Sequence, residues 1–199
     1  MLNALIFDIG GVLIRTETLE PRRKWERRFG LHDWQLQDLF FNSGVGQAAQ
    51  IGKASTADVW AFVAKTLSLN TSDLAKMQRD FYAGDVLDHS LIVLIQTLRP
   101  RYKTGILSNA LLDAREDLKD RINTHTFDVM VFSGEEGVRK PDAEIYRRVL
   151  SRLGVQPNEA VFVDDMLVNV QAAHDVGMQG IHYAAGMDVA GALREVGVR

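Results

Sequence analysis

None of the 199 residues is cysteine, so disulfides, thiolate metal sites and a cysteine nucleophile are excluded together. Charge of one sign is also scarce: the net charge is −3 with histidines neutral. The densest basic cluster, Arg22-Arg23-Lys24 with Arg27-Arg28, is interrupted by Trp25 and Glu26, which fits the solvated face of a helix better than a nucleic-acid surface. No apolar run comes near the roughly 18 residues that a membrane span needs. The apolar N-terminus lacks a basic leader and carries Asp8 in its middle, which makes a poor signal peptide. The expectation is a cytoplasmic protein with no nucleic-acid and no membrane partner. The five histidines show no ligand spacing, and His174 and His182 read as structural or solvated.

What the chain does have is apolar content. Hydrophobic residues make up 46% of it, enough for a full core, and its length suits one domain with an insertion. Leu2 to Phe7 is a short apolar run of the kind shown by a strand buried on both faces. From about Glu17 to Tyr82 the pattern is helical. Apolar residues recur at helical spacing over Thr18–Phe29 and Trp34–Phe41; Ser55 with Asp58 reads as a capping box opening a helix through Leu67; Ser72 suits the start of another through Phe81. Beyond Asp88 the pattern alternates: helix Leu91–Leu98, strand Lys103–Leu107, helix Leu111–Arg121, strand Val129–Phe132, helix Asp142–Leu153, strand Ala160–Val163, helix Asn169–Val176, strand Gly180–Tyr183. This predicts an α/β fold, a Rossmann-like doubly wound parallel sheet with crossover helices on both faces. Residues 1–15 and 86–199 would form that core, and 16–85 an inserted helical cap.

In an open parallel sheet, ligands bind outside the carboxyl ends of the strands. Those ends read Phe7-Asp8-Ile9-Gly10-Gly11, Leu107-Ser108-Asn109 and Val163-Asp164-Asp165, with Gly137-Val138-Arg139-Lys140-Pro141 between the last two. Each has an ordinary reading taken singly: Asp8 as a turn former, Ser108-Asn109 as a turn pair, Lys140 as a surface lysine, Asp164-Asp165 as helix caps. Those readings do not account for their convergence on one sheet edge. Three carboxylates in one crevice repel unless cations compensate; Lys140 supplies one charge, and oxygen-only donors suit Mg2+. Together with Ser108, Asn109 and a backbone opened by Gly10 and Gly11, this set suits a phosphate group, and hence a small phosphorylated metabolite. With no cysteine available and no evident histidine base for Ser108, Asp8 is the best candidate nucleophile.

Four segments, IFDIGGV, ILSNA, VRKPDAEIY and FVDDMLVNVQAA, the last followed by Gly177, occur in that order. Through them the chain resembles the haloacid dehalogenase-like superfamily of phosphohydrolases, in the branch with a C1-type helical cap. The resemblance implies that Asp8 attacks phosphorus to give an aspartyl-phosphate and shares Mg2+ with the backbone carbonyl of Gly10 and with Asp165. Asp164 would be a further ligand or an outer partner of the metal. Gly11, Ser108, Asn109 and Lys140 would hold the phosphoryl group, Lys140 would balance Asp8, and Asn169 would support the metal carboxylates.

Gly10 departs from the family pattern. Phosphatases of this family usually carry a second Asp there, which protonates the leaving oxygen and then activates water; losing such a group costs on the order of 10²–10⁴-fold. Members with a variant at this position resemble sugar-1-phosphatases, so the favoured expectation is a phosphatase for a stabilised leaving group, such as a sugar 1-phosphate or an acyl phosphate. Three other readings stand beside it: a proton supplied by the substrate or the cap, a weakly active or inactive binding protein, and a 2-haloacid dehalogenase. The doubled Asp164-Asp165 speaks against the last. The insertion is expected to act as a lid. Within it, Asn42–Gly46 reads as an interhelical turn rather than a hinge, and Trp25, Trp34 and Trp60 as packing rather than a sugar platform.

Overall fold

The computed structural model describes residues 1–199. Its main sheet holds β1 (Ala4–Phe7), β4 (Lys103–Ser108), β5 (Val129–Phe132), β6 (Ala160–Asp164) and β7 (Gln179–His182), all parallel, in the order β5-β4-β1-β6-β7. β1 is central because both its faces are apolar. Leu5 and Phe7 enter one hydrophobic cluster with Leu91, Ile92 and Ile95 of α6 (His89–Leu98) and Val189 and Leu193 of α11 (Val189–Glu195). Ala4 and Ile6 enter the other, with Ile145, Val149 and Leu153 of α9 (Ala143–Leu153) and Ala173 of α10 (Leu167–Asp175). Strict alternation along an extended chain sends neighbouring side chains to opposite faces. All four β1 residues are fully buried, and each large one contributes roughly 1.5–3 kcal/mol. The doubly wound parallel sheet expected from the sequence is present.

Between β1 and α6 lie a two-stranded antiparallel ribbon, β2 (Ile14–Thr16) with β3 (Asp85–Leu87), and a helical block that the ribbon brackets. The block contains α1 (Glu20–Arg28), α2 (Gln35–Gln37), a π-helical turn Asp38–Asn42, α3 (Gly44–Ala49), α4 (Thr56–Thr66) and α5 (Thr71–Tyr82). It has its own apolar cluster, built on Phe40, Trp60 and Phe81, to which the core contributes Leu111. Arg22 ties the block to the ribbon. From a nearly buried position it donates to the Phe81 carbonyl, to Gln37 Oε1 at 2.7 Å and to Asp85 Oδ1 at 2.9 Å.

The differences from the sequence reading have local causes. The helix expected over Leu111–Arg121 shrinks to α7 (Ala114–Lys119), because Leu111 turns away into the block and Ala110 bonds to Ser133 through its N–H. Trp34 adopts φ +71° and stands outside the helix as its N-cap, and the rest of the expected Trp34–Phe41 stretch is α2 running directly into the π turn. α5 is capped by Asn70 accepting from the Asp73 N–H, not by Ser72. Asn42–Gly46 spans a junction between helices, as expected, but a tight one: Asn42 ends the π turn, Ser43 caps α3 by accepting from the Gly46 N–H, and Gly44 to Gly46 open α3. A Cβ on Gly46 would fall 2.1 Å from the Phe40 carbonyl, so this junction is a close-packed contact. Trp25 and Trp60 are buried as expected, whereas Trp34 is half exposed. The ribbon and α11 were not foreseen. No helix is long and apolar enough to cross a membrane.

Candidate active site

Register brings the acidic residues together. β1 and β6 pair Phe7 with Val163, so Asp8 and Asp164 emerge side by side at the carboxyl edge. β4, on the other flank of β1, ends there in Ser108. Carboxylate oxygens of Asp8, Asp164 and Asp165 lie within 4.8 Å of one another.

Lys140 reaches this cluster from the loop before α9, with 1% of its side chain exposed. Its Nζ is 2.9 Å from Asp8 Oδ2 and 2.6 Å from Asp164 Oδ2, and it lies 5.2 Å from the Phe162 ring centroid. The Asn109 side chain grips the Lys140 peptide on both sides: Nδ2 donates to the Lys140 carbonyl at 3.0 Å, and Oδ1 accepts from the Lys140 N–H at 2.8 Å. That side chain is engaged in placing Lys140. Asp164 is fully buried and saturated with donors: Lys140 Nζ, the Met166 N–H at 2.7 Å and Asn169 Nδ2 at 3.0 and 3.1 Å. Asn169 is held in turn, its carbonyl accepting from the Tyr146 hydroxyl at 2.9 Å.

The charges do not balance. Burial pushes the Asp8 carboxyl up to about 6 and the charge of Asp164 adds to that, while Lys140 and the Ser108 hydroxyl pull it down. Asp165 is also raised, by burial first and by Asp164 second, against the pull of Lys140. One ammonium therefore leaves the carboxylates under-compensated, a condition that another cation would relieve.

The two glycines after Asp8 differ. Gly11 has φ +75°, and a Cβ there would lie 2.2 Å from Asp165 Oδ2, so its missing side chain makes room for Asp165. At Gly10 a Cβ would meet nothing within 4 Å. The absence of an acid there is not imposed by crowding.

Above this floor opens a cavity of about 540 Å³ between core and block. Its walls include Ile14, Phe41, Tyr82, Leu111, Asp113 and Asp117 together with Gly10, Gly11, Ser108, Asn109 and Asp165. The block also touches the core beside Lys140: Arg139 Nη1 donates to Gln50 Oε1 at 3.0 Å, and Gln50 Nε2 donates to the Phe41 carbonyl at 2.7 Å. Every residue singled out from the sequence thus stands at the carboxyl edge. Sequence reasoning overlooked Tyr146, Ser133, Gln50 and Tyr82. Tyr146 sits within the third motif, so its position was visible although its bond to Asn169 was not. Ser133, which holds Ala110, and the two block residues carry no motif.

Known proteins give the class. The haloacid dehalogenase-like hydrolase family profile matches residues 2–177, and the chain belongs to that family. It is 28% identical to the sesquiterpene phosphatase astK of Aspergillus oryzae over 98% of this chain and 96% of that protein. It is 43% identical to bifunctional epoxide hydrolase 2 of Rattus norvegicus over 98% of this chain, which spans only 38% of that longer protein. Among solved structures, a HAD family enzyme of Bacteroides thetaiotaomicron, in complex with magnesium and inorganic phosphate, superposes with a TM-score of 0.82 at 21% identity, covering 98% of this chain and all of that one. This last likeness speaks to the fold.

Proposed function

We propose that this chain is a Mg2+-dependent phosphatase that hydrolyses a small phosphorylated metabolite through an aspartyl-phosphate on Asp8, and that its leaving group departs without a side-chain acid at position 10. The observation that carries this reading is the imbalance at the sheet edge, three clustered carboxylates against one buried ammonium. A phosphatase relative that aligns over nearly the whole chain, and a like-folded enzyme holding magnesium and phosphate, support it.

The donor set fits the ion, being all oxygen with no histidine or cysteine. Asp8, Asp165 and the Gly10 carbonyl would hold it; Asp164, already accepting from three groups, would act as the outer partner. When bound, Mg2+ would supply positive charge against the phosphoryl oxygens. Lys140, Ser108 and the backbone at Gly11 would orient the phosphoryl group. A carboxylate oxygen of Asp8 then bonds to phosphorus as the bond to the leaving oxygen breaks, and that oxygen departs with the electron pair. Water next attacks phosphorus, the bond to Asp8 breaks, and inorganic phosphate leaves. With no carboxyl at position 10, the first step favours leaving oxygens that hold negative charge well, as in an anomeric sugar phosphate or an acyl phosphate. Residues 16–85 would serve as the cap over the cavity, with the β2–β3 ribbon as its stem.

The test is Mg2+-dependent phosphate release from glucose 1-phosphate and acetyl phosphate set against glucose 6-phosphate, with EDTA as control. A preference of tenfold or more for the first two is expected. Equal rates would refute the leaving-group reading, and silence on all three with Mg2+ bound would refute the phosphatase.

A further inference from the structure

Lys140 turns its ammonium to the core carboxylates, but the residue before it turns to the helical block. Arg139 is half-buried at that seam, and its guanidinium donates to a neutral amide, Gln50 Oε1 at 3.0 Å, and not to a carboxylate. Gln50 directly follows α3 and is 6% exposed. Its other amide atom, Nε2, donates to the Phe41 carbonyl at 2.7 Å, and Phe41 lines the cavity above the carboxylates. Accepting from a guanidinium while donating to a carbonyl suits a side-chain amide; an ionised carboxylate could not donate, and an ammonium could not accept. Beside this bond the two parts meet backbone to backbone. Gly52, two residues beyond Gln50, has φ +70°, and a Cβ there would fall 2.3 Å from the carbonyl oxygen of Gly134 in α8 (Ser133–Glu136). Gly134 rests on the next layer, its N–H donating to the Ala110 carbonyl at 3.0 Å. The turn Gln50–Gly52 is thus seated on the segments that follow Asn109 and precede Lys140.

Val138–Lys140, between α8 and α9, is therefore held from two sides. Asn109 grips the Lys140 peptide from the core, and one peptide earlier Arg139 binds the block. A line of bonds runs from the cavity wall at Phe41 through Gln50 and Arg139 to the peptide that aims the Lys140 ammonium at Asp8 and Asp164. We propose that Arg139 and Gln50 are positioning residues: while the block is seated they hold Lys140 where its ammonium meets the phosphoryl group, and when the block lifts they release it. Full use of Lys140 is thereby restricted to the closed molecule, in which water is excluded. The inference rests on the phosphatase reading for what Lys140 does, but not for how Lys140 is held.

Two readouts on the full chain with Mg2+ present separate the two claims. Gln50→Met keeps the packed length and every charge while removing both bonds, and Arg139→Met removes the guanidinium from the other side. Exchange of the Lys140 amide, which donates to Asn109 Oδ1, should quicken about tenfold or more in either variant, with the β1 amides exchanging as in wild type. The double variant should be no worse than the single ones, because all three lack the same contact. With acetyl phosphate as substrate, kcat should fall about tenfold or more in both single variants while KM stays within about threefold. The proposal is overturned if the Lys140 amide exchanges as in wild type, if the two effects multiply, or if KM rises with kcat unchanged, which would mark a contact that only seats the block. It is overturned equally if exchange quickens and kcat holds. Wild-type protein that hydrolyses no phosphate ester would refute the phosphatase reading instead, and the exchange rates would still decide whether the block places Lys140.

Discussion

Both ends of the main sheet open onto a charged cleft of several hundred Å³, and the clustered carboxylates stand at only one of them. At the amino edge about 670 Å³ is lined by Arg99, Arg101, Lys103, Asp128, Arg152 and Glu159. Its charges are largely exposed and answered: Arg99 pairs with Asp128 at 2.7 Å, Lys103 Nζ donates to the Leu153 carbonyl at 2.5 Å, and Arg152 pairs with Glu136 at 2.6 Å. The lysine also neutralises the negative end of α9, a common role for a cation at a helix C-terminus. At the carboxyl edge the charges of Asp8, Asp164 and Lys140 beneath the cleft are buried and unequal in number. Size does not separate the two ends; unresolved electrostatic cost does, because carboxylates buried without a full set of partners take up protons or draw in a cation.

Four measurements bear on this contrast. Lys140→Met should have the largest effect. It removes the one ammonium buried among the carboxylates, and metal-free protein should lose about 3–5 kcal/mol of stability by denaturant melting, with turnover falling on the order of 10²–10³-fold. A variant as stable as wild type would mean the buried carboxylates are not charged as described. Gly10→Asp should act in the opposite direction. Open space at that position admits the side chain, and hydrolysis of glucose 6-phosphate should rise tenfold or more; an unchanged rate would show that proton supply does not limit the enzyme.

The third concerns pH. Asp8 has a folded value of about 6, above its ordinary 3.8, and Asp165 moves the same way. Between those values the folded metal-free chain binds protons that the unfolded chain does not, so its stability should fall as pH rises from about 4 through 6. Saturating Mg2+ should flatten that slope, because metal binding displaces the protons; a slope that persists with the ion bound contradicts the ligand set. The smallest expected effect is at the other edge. Arg101→Ala should leave turnover within twofold and stability within about 0.5 kcal/mol, and a large loss there would erase the distinction between the two clefts.

Much of this was legible from the sequence, for reasons visible in particular residues. The apolar run at β1 and the alternation of strands with helices after Asp88 are local patterns, and they yielded the parallel sheet. Because such a sheet gathers its strand ends on one edge, Asp8, Ser108, Asp164 and Asp165 could be placed together before any distance was known. What escaped was set by contacts between segments far apart in the chain. The grip of Asn109 on the Lys140 peptide, 31 residues on, was invisible because the fold brings the two together. Leu111 looked helical because its apolar character suits a helix as well as the block it joins. The ribbon strands have three residues each, too few for a period to show.

Arg22 has a consequence for motion. Its guanidinium bridges α1, the end of α5, the end of α2 through Gln37, and β3. Separating any of these pieces would strand a nearly buried cation, so thermal excursions that open the cavity will favour paths on which they travel together. Flexing then has to concentrate in the few residues outside this joint, between β1 and β2 and between β3 and α6. Amide exchange should accordingly be slow and uniform across α1, α5 and β3, and fast in the two short connections that lead to the sheet.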